Sequence, residues 1–249
     1  MLEGKVALIT GAGQGVGQGI ALALAARGAR VSVAGRTLAK CENTVEMITG
    51  RGGRAIAVEC NVKSLASLES AVRKTIDDFE TIDILVNNAQ EVPLGPIREL
   101  SDEAFEAGWE SGPLATLRLM KLCRPYLVGG GSIVNLASTA SKRWDATGYS
   151  GYAAVKEAIR ALTRGAASEW AGDGIRTNVI LPHAKSPGLK YWIENNPEES
   201  AAFIASIPMR RVGECEEDIG RFVATLCSDD CAYINGQSIA VDGGQAYMG

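Results

Sequence analysis

The sequence has a single histidine, no closely paired cysteines and no long apolar run, and each shortage removes a class of function. His183 is the only histidine. A zinc centre of the usual His/Cys type is therefore not expected, and a Ser-His-Asp hydrolase would have to be built around that one residue. The six cysteines, at 41, 60, 123, 215, 227 and 231, include no C-x-x-C pair. Cys227 and Cys231 stand four apart with no histidine near them and read as two buried thiols, so no metal is expected. No stretch is apolar enough to span a bilayer, and Met1-Leu2-Glu3-Gly4-Lys5 runs straight into a strand pattern without the parts of a secretion signal. The expectation is a protein of the cytoplasm with no membrane contact. A basic excess is missing as well. With 25 Lys+Arg against 29 Asp+Glu the net charge is −4, which argues against nucleic acid as a partner.

What is present is alternation. Short continuous apolar runs such as Val6-Ala7-Leu8-Ile9-Thr10 and Ser132-Ile133-Val134-Asn135-Leu136-Ala137 are separated by stretches with helical spacing. Strands are expected at 5–10, 30–34, 54–58, 82–86, 132–137, 175–180 and 238–241. Helices are expected at 19–27, 38–49, 64–79, 101–127, 151–171 and 215–227, with a mixed segment at 184–210. Strands without polar alternation, each followed by a helix, predict a parallel sheet covered on both faces. The 249 residues show no linker, so one doubly wound α/β domain spanning 1–249 is expected. In such sheets ligands bind beyond the carboxyl ends of the strands.

Two strand ends point to a nucleotide. Thr10 to Gly17 does not fit G-x-G-x-x-G, because Gln18 stands where the third glycine belongs; it fits T-G-x-x-x-G-x-G through Gly11, Gly15 and Gly17. Residues without Cβ let a backbone approach a pyrophosphate at a helix N-terminus, although a purely structural turn would look similar. After the second strand the chain reads Val33-Ala34-Gly35-Arg36-Thr37, with no acid for a ribose 2′-hydroxyl and with an arginine suited to a 2′-phosphate. NADP(H) is the expected cofactor; if Arg36 only stacks on adenine, NAD(H) is acceptable. Farther on, Tyr152 and Lys156 lie four apart, one turn along one helix face. An ammonium there is expected to bring a phenol pKa down from about 10 toward neutrality, with Ser138 holding a carbonyl oxygen against the tyrosine. Alone, that spacing also arises by chance.

Taken in order, the Thr10 to Gly17 turn, Asn87-Asn88-Ala89, Ser138, Tyr152-x-x-x-Lys156, Ile207 to Gly213, Gly236-Gln237 and Val241-Asp242-Gly243-Gly244 resemble the short-chain dehydrogenase/reductase family in its common form, over essentially the whole chain. The resemblance implies a Rossmann fold and hydride transfer between a nicotinamide and an alcohol or carbonyl carbon. Tyr152 would be the acid or base, Lys156 would bond the nicotinamide ribose and lower the tyrosine pKa, and Ser138 would position the substrate oxygen. It further implies a cofactor bound by Gly11, Gln14, Gly15, Val16, Gly17, Arg36, Asn61, Val62, Asn88, Ala89, Tyr152, Lys156, Pro182 and His183, and a homo-oligomer, a tetramer.

Three positions depart from the family pattern. Gln90 stands where Asn-Asn-Ala-Gly has its glycine. Gly112, followed by Pro113, replaces the asparagine of the long helix that supports a proton-relay water; a relay here would have to run through water or Ser111. Pro182-His183 replaces Pro-Gly, with Ser186 or the backbone taking the place of a threonine. Gln90, Trp144, His183 and Trp192 are substrate-site candidates, and the apolar residues of 184–210 suggest a lid over a hydrophobic ketone or alcohol. The departures also raise a rival reading, a cofactor-binding sensor or structural subunit of little catalytic power.

Overall fold

The structure, a computed structural model, describes residues 1–142, 148–246 and 248. Seven strands pair in parallel: β1 (Val6–Thr10), β2 (Arg30–Gly35), β3 (Arg54–Glu59), β4 (Ile84–Asn87), β5 (Ser132–Leu136), β6 (Arg176–Pro182) and β7 (Ser238–Val241). Their order is β3-β2-β1-β4-β5-β6-β7. The chain therefore winds outward from β1 to β3, then returns to pair β4 with β1 in the register Ala7↔Ile84. That reversal opens a crevice at the carboxyl ends of β1 and β4.

Period-two side chains explain why helices cover both faces. Ala7 and Ile9 of β1, Val31 and Val33 of β2, Ile84 and Val86 of β4 and Val134 and Leu136 of β5 face one core. The intervening Leu8, Ala34, Leu85 and Ile133 face the other. Helices α1 (Gly15–Ala25), α2 (Leu38–Thr49) and α9 (Arg221–Leu226) close the first core. Helices α3 (Leu65–Phe79), α5 (Ala115–Leu127) and α6 (Ser150–Glu169) close the second. Burial on both sides is why the strands read as unbroken apolar runs. The doubly wound sheet expected from the sequence is present, and among the described residues no helix is long and apolar enough to cross a membrane.

Several boundaries differ for identifiable reasons. The stretch expected as one helix over 101–127 is α4 (Asp102–Trp109), a π-helical turn over Glu110–Leu114, and α5. Pro113 has no N–H to give and its ring crowds the preceding turn, and the wider π turn absorbs both faults. A second π turn, Cys215–Gly220, precedes α9. Helix α1 begins at Gly15, four residues earlier than expected, because Gly17 and Gly19 are helical. It ends at Ala25, and Gly28 at φ +97° then donates its N–H to Ala25 O at 3.0 Å to reverse the chain. The mixed segment resolves into α7 (Pro187–Asn195) and α8 (Pro197–Ser206).

Gly19 shows what the second π turn demands. A Cβ there would overlap the backbone of Cys215, and one on Gly220 would overlap the Gly19 carbonyl. Helix α1 and the turn cross with no side chain between them. Gly19→Ala is expected to lower stability by about 3 kcal/mol, at the upper end for overpacking because the atoms met are backbone. Gly172→Ala, with nothing near its Cβ, should leave the urea midpoint within error of wild type. Equal midpoints for both variants would contradict the packing account.

Candidate active site

A cleft of about 1190 Å3 runs along the carboxyl edge of the sheet. Gly11, Gln14, Gly15 and Val16 border it from the turn after β1, Arg36 from the end of β2, and Asn61 and Val62 from beyond β3. Asn88, Ala89 and Gln90 border it after β4, Ser138 after β5, Tyr152 and Lys156 from α6, Pro182 and His183 at the end of β6, and Trp192 from α7. Candidates from eight separate places in the fold thus meet in one cleft. Gly17 does not border the cleft. Its Cβ position is filled by Asn88 Nδ2 and the Gly11 carbonyl, so glycine is required there for close approach behind the turn. Trp144 lies outside the described residues.

The glycine turn is braced from β4. Asn88 Nδ2 donates to Thr10 O at 2.8 Å and Gly11 O at 3.1 Å, while Thr10 Oγ1 accepts the N–H groups of Asn88 (3.1 Å) and Ala89 (3.2 Å). The Asn88 amide is therefore committed to the turn's shape. Gly11 and Gly15 have φ of +65° and +60°, which a side chain would strain. Gln14 occupies the cap position of α1 but does not cap it; its amide oxygen accepts Lys40 Nζ at 2.7 Å. The first-turn N–H groups of α1 thus receive no side-chain cap from Gln14, the arrangement that receives an anion.

At the other end lie Tyr152, Ser138 and Lys156. Lys156 is 3% exposed and its Nζ donates to Leu136 O at 2.7 Å. That nitrogen lies 5.4 Å from the centroid of the Tyr152 ring. The expected direction of the phenol shift is reversed. Burial pushes the Tyr152 phenol up to about 12, against a lowering by its hydrogen bond with Ser138 and a further rise from Tyr149. The same burial brings the Lys156 ammonium down to about 7. Removing both groups from water disfavours both charged forms, and this outweighs the attraction inferred from spacing alone.

The two departures at Gln90 and Gly112 are one exchange in space. A Cβ on Gly112 would overlap the Gln90 side-chain oxygen, so the glutamine fills the volume that Gly112 leaves. Gln90 Nε2 donates to Glu91 O at 2.7 Å and Gly108 O at 2.8 Å. Two carbonyl acceptors fix the orientation of the amide, which forces its oxygen against Gly112, where among the described residues that oxygen has no hydrogen-bond partner. Ser111 is unsuited to the relay role raised above. Its hydroxyl donates to Ala107 O at 2.7 Å and accepts the Glu91 N–H at 2.9 Å.

The cleft is roofed by α7 and α8. The His183 ring meets Phe203 of α8 edge-on at 5.4 Å, and Phe203 meets Trp192 of α7 at 5.6 Å. Ser186 caps α7 by accepting Leu189 N–H at 3.3 Å, which gives that hydroxyl a structural duty. Among the described residues no cluster of three or more His, Cys, Asp or Glu could hold a metal. Four charged residues on the cleft were not among the candidates: Lys40, Lys63, Glu91 and Glu199. Glu91 Oε1 lies 2.7 Å from Arg36 Nη1 and its Oε2 lies 3.5 Å from Lys63 Nζ. An acid directly after the β4 motif, in a chain without one after β2, was the available signal.

With the fold and cleft defined, comparison with known proteins identifies the class. A family model described as enoyl-(acyl carrier protein) reductase matches residues 11–246. The 12α-hydroxysteroid dehydrogenase of a Clostridium species is 37% identical over 98% of this chain and 97% of its own. The galactitol 2-dehydrogenase of Agrobacterium fabrum is 35% identical over 98% of each. A 7α-hydroxysteroid dehydrogenase solved with NADH and 7-oxo glycochenodeoxycholic acid superposes with a TM-score of 0.93 at 32% identity, covering 99% of this chain and 96% of that one. The chain belongs to the short-chain dehydrogenase/reductase family and is an oxidoreductase of alcohols or ketones.

Two outcomes follow from the site's physics. Gly112→Asn alone should destabilise the protein by about 1–3 kcal/mol. Adding Gln90→Gly should recover most of that loss, giving a coupling above about 1 kcal/mol in urea unfolding; strict additivity would contradict the exchange. For Lys156, the unfolded side chain keeps its proton to about pH 10.5 and the folded one releases it near 7. Between these values the unfolded chain holds the extra proton, so raising the pH favours the folded state. The unfolding temperature of wild type minus that of Lys156→Met should therefore rise from pH 7 to pH 10, and a flat difference would contradict the buried ammonium.

Proposed function

We propose that the protein transfers a hydride between a nicotinamide dinucleotide, NADP(H) in preference to NAD(H), and the alcohol or carbonyl carbon of a mainly apolar small molecule, with Tyr152 as proton donor and acceptor. The observation that carries this reading is one cleft with an uncapped helix N-terminus behind a glycine turn at one end and the half-buried Ser138 and Tyr152 with the buried Lys156 at the other. The turn fits a pyrophosphate: Gly11 and Gly15 border the cleft in conformations only glycine adopts easily, and the α1 donors there have no capping side chain.

Gln14, Gly15 and Val16 would hold the pyrophosphate, with Gly17 and Asn88 keeping the turn in shape and Ala89 walling it. Asn61 and Val62 would flank the adenine. Arg36, which follows Gly35 where an acid would repel a phosphate, would take the ribose 2′-phosphate. Lys156 has two further N–H donors beyond the one on Leu136 O, suited to ribose hydroxyls. Pro182 and His183 would border the nicotinamide. The cofactor, when bound, supplies or takes up the hydride.

Tyr152 holds its proton to about pH 12 in the free protein, the form that donates to a carbonyl oxygen as reduction proceeds. In the reverse direction the phenol would first release its own proton to solvent, and the phenolate would then take the alcohol proton as the hydride leaves the carbinol carbon for the oxidised cofactor. Ser138 Oγ holds the reacting oxygen against it. The segment 184–210 acts as a lid within the single 1–249 domain, and Trp192, with Phe203 and His183 around it, makes the substrate end mainly apolar. The hydroxysteroid dehydrogenases among the relatives support a bulky apolar substrate. A tetramer in the cytoplasm belongs to the same reading.

The test follows nicotinamide absorbance with NADPH and NADH against a panel of oxosteroids, cyclic ketones and sugar-derived ketones. Turnover is expected on at least one apolar ketone, and Tyr152→Phe should lower it by at least about 10²-fold while still binding cofactor. A phenylalanine variant with full activity would overturn the role of the phenol. Cofactor binding without turnover on any ketone would favour the sensor reading.

A further inference from the structure

We infer that Glu91 is a specificity-determining residue of this cleft: its carboxylate sits between Arg36 and Lys63, where a ribose 2′-phosphate would lie, and so limits the preference for NADP(H) over NAD(H). The inference rests on the reading of the cleft as a dinucleotide site.

The two cations come from different strand ends. Arg36 follows β2 and Lys63 lies beyond β3, yet one carboxylate bridges them, at 2.7 Å to Arg36 and 3.5 Å to Lys63. All three side chains border the cleft. The bridging residue is not a loose surface side chain at its base. Its N–H donates to Ser111 Oγ, and its carbonyl accepts Gln90 Nε2. Ser111 is itself 2% exposed, so the backbone of Glu91 is pinned to the turn between α4 and α5. The exchange of Gln90 with Gly112 therefore has a consequence at the adenosine end: it fixes the base of an anion that points at the cation pair.

Charge arithmetic sets the direction. Arg36 and Lys63 together offer two positive charges to a phosphate dianion, and Glu91 cancels one. A 2′-phosphate must displace the carboxylate from Arg36, whereas a 2′-hydroxyl carries no charge and leaves the ion pair in place. The side chains of Arg36, Glu91 and Lys63 are 63%, 30% and 31% exposed, so solvent screens the pairs and the effect is modest. Removing the carboxylate is expected to tighten NADP+ roughly three- to tenfold.

The experiment measures NADP+ and NAD+ dissociation constants by calorimetry for wild type, Glu91→Gln, Arg36→Ala and the double variant. Expected are a tightening of NADP+ by roughly three- to tenfold in Glu91→Gln, a change in NAD+ below about twofold, and loss of the tightening when Arg36 is absent. Unchanged or weaker NADP+ binding in Glu91→Gln, with Arg36→Ala still weakening NADP+ selectively, would overturn this inference and leave the cofactor reading standing. A strong loss of NAD+ binding in Glu91→Gln would overturn it too, making the carboxylate a ribose acceptor. If Arg36→Ala does not weaken NADP+ relative to NAD+, the NADP(H) reading falls and the inference with it.

Discussion

The site depends on an ammonium held out of water. Lys156 is almost completely enclosed, and its nitrogen reaches a backbone carbonyl at the end of β5. Enclosure lowers its pKa to about 7 and raises that of the adjacent phenol to about 12. Both groups are thereby biased toward their neutral forms, and small additions of charge or hydrogen bonding at the cleft have large effects on proton position. The surrounding fold serves this enclosure. The end of β5 supplies the acceptor, α6 carries both groups one turn apart, and α7 and α8 lie over the cleft.

The sheet and the cleft were largely legible in the sequence because strands buried on both faces show as unbroken apolar runs, and because most candidates other than Tyr152, Lys156 and the tryptophans stood at or just after a strand end. The glycine turn was legible for the same reason: Gly11 and Gly15 need positive φ, and Gly17 needs to lie against Asn88. What could not be read is what depends on pairs distant in sequence. Gln90 and Gly112 look like two separate losses, and only in space does one side chain fill the other's vacancy. Gly19 and Gly220 are a second such pair. The sign of the tyrosine shift failed differently. Spacing reveals a neighbouring charge but not desolvation, and desolvation is the larger effect here.

The same turn links the two ends of the cleft. Gln90 and Ser111 tie the loop after β4 to the π turn between α4 and α5, and that loop carries Glu91 to Arg36 and Lys63. Departures beside the expected nicotinamide position and an unusual anion beside the expected adenosine position are thus parts of one local structure. They leave Ser138, Tyr152 and Lys156 in place at the cleft.

The most direct measurement is label transfer. Reduced cofactor carrying deuterium at the transferable nicotinamide position is incubated with the ketone panel, and products are read by mass spectrometry. The account predicts an alcohol carrying one deuterium on carbon with wild type, and its near-complete absence with Tyr152→Phe. Alcohol formed without label, or label transferred equally well by the phenylalanine variant, would contradict it.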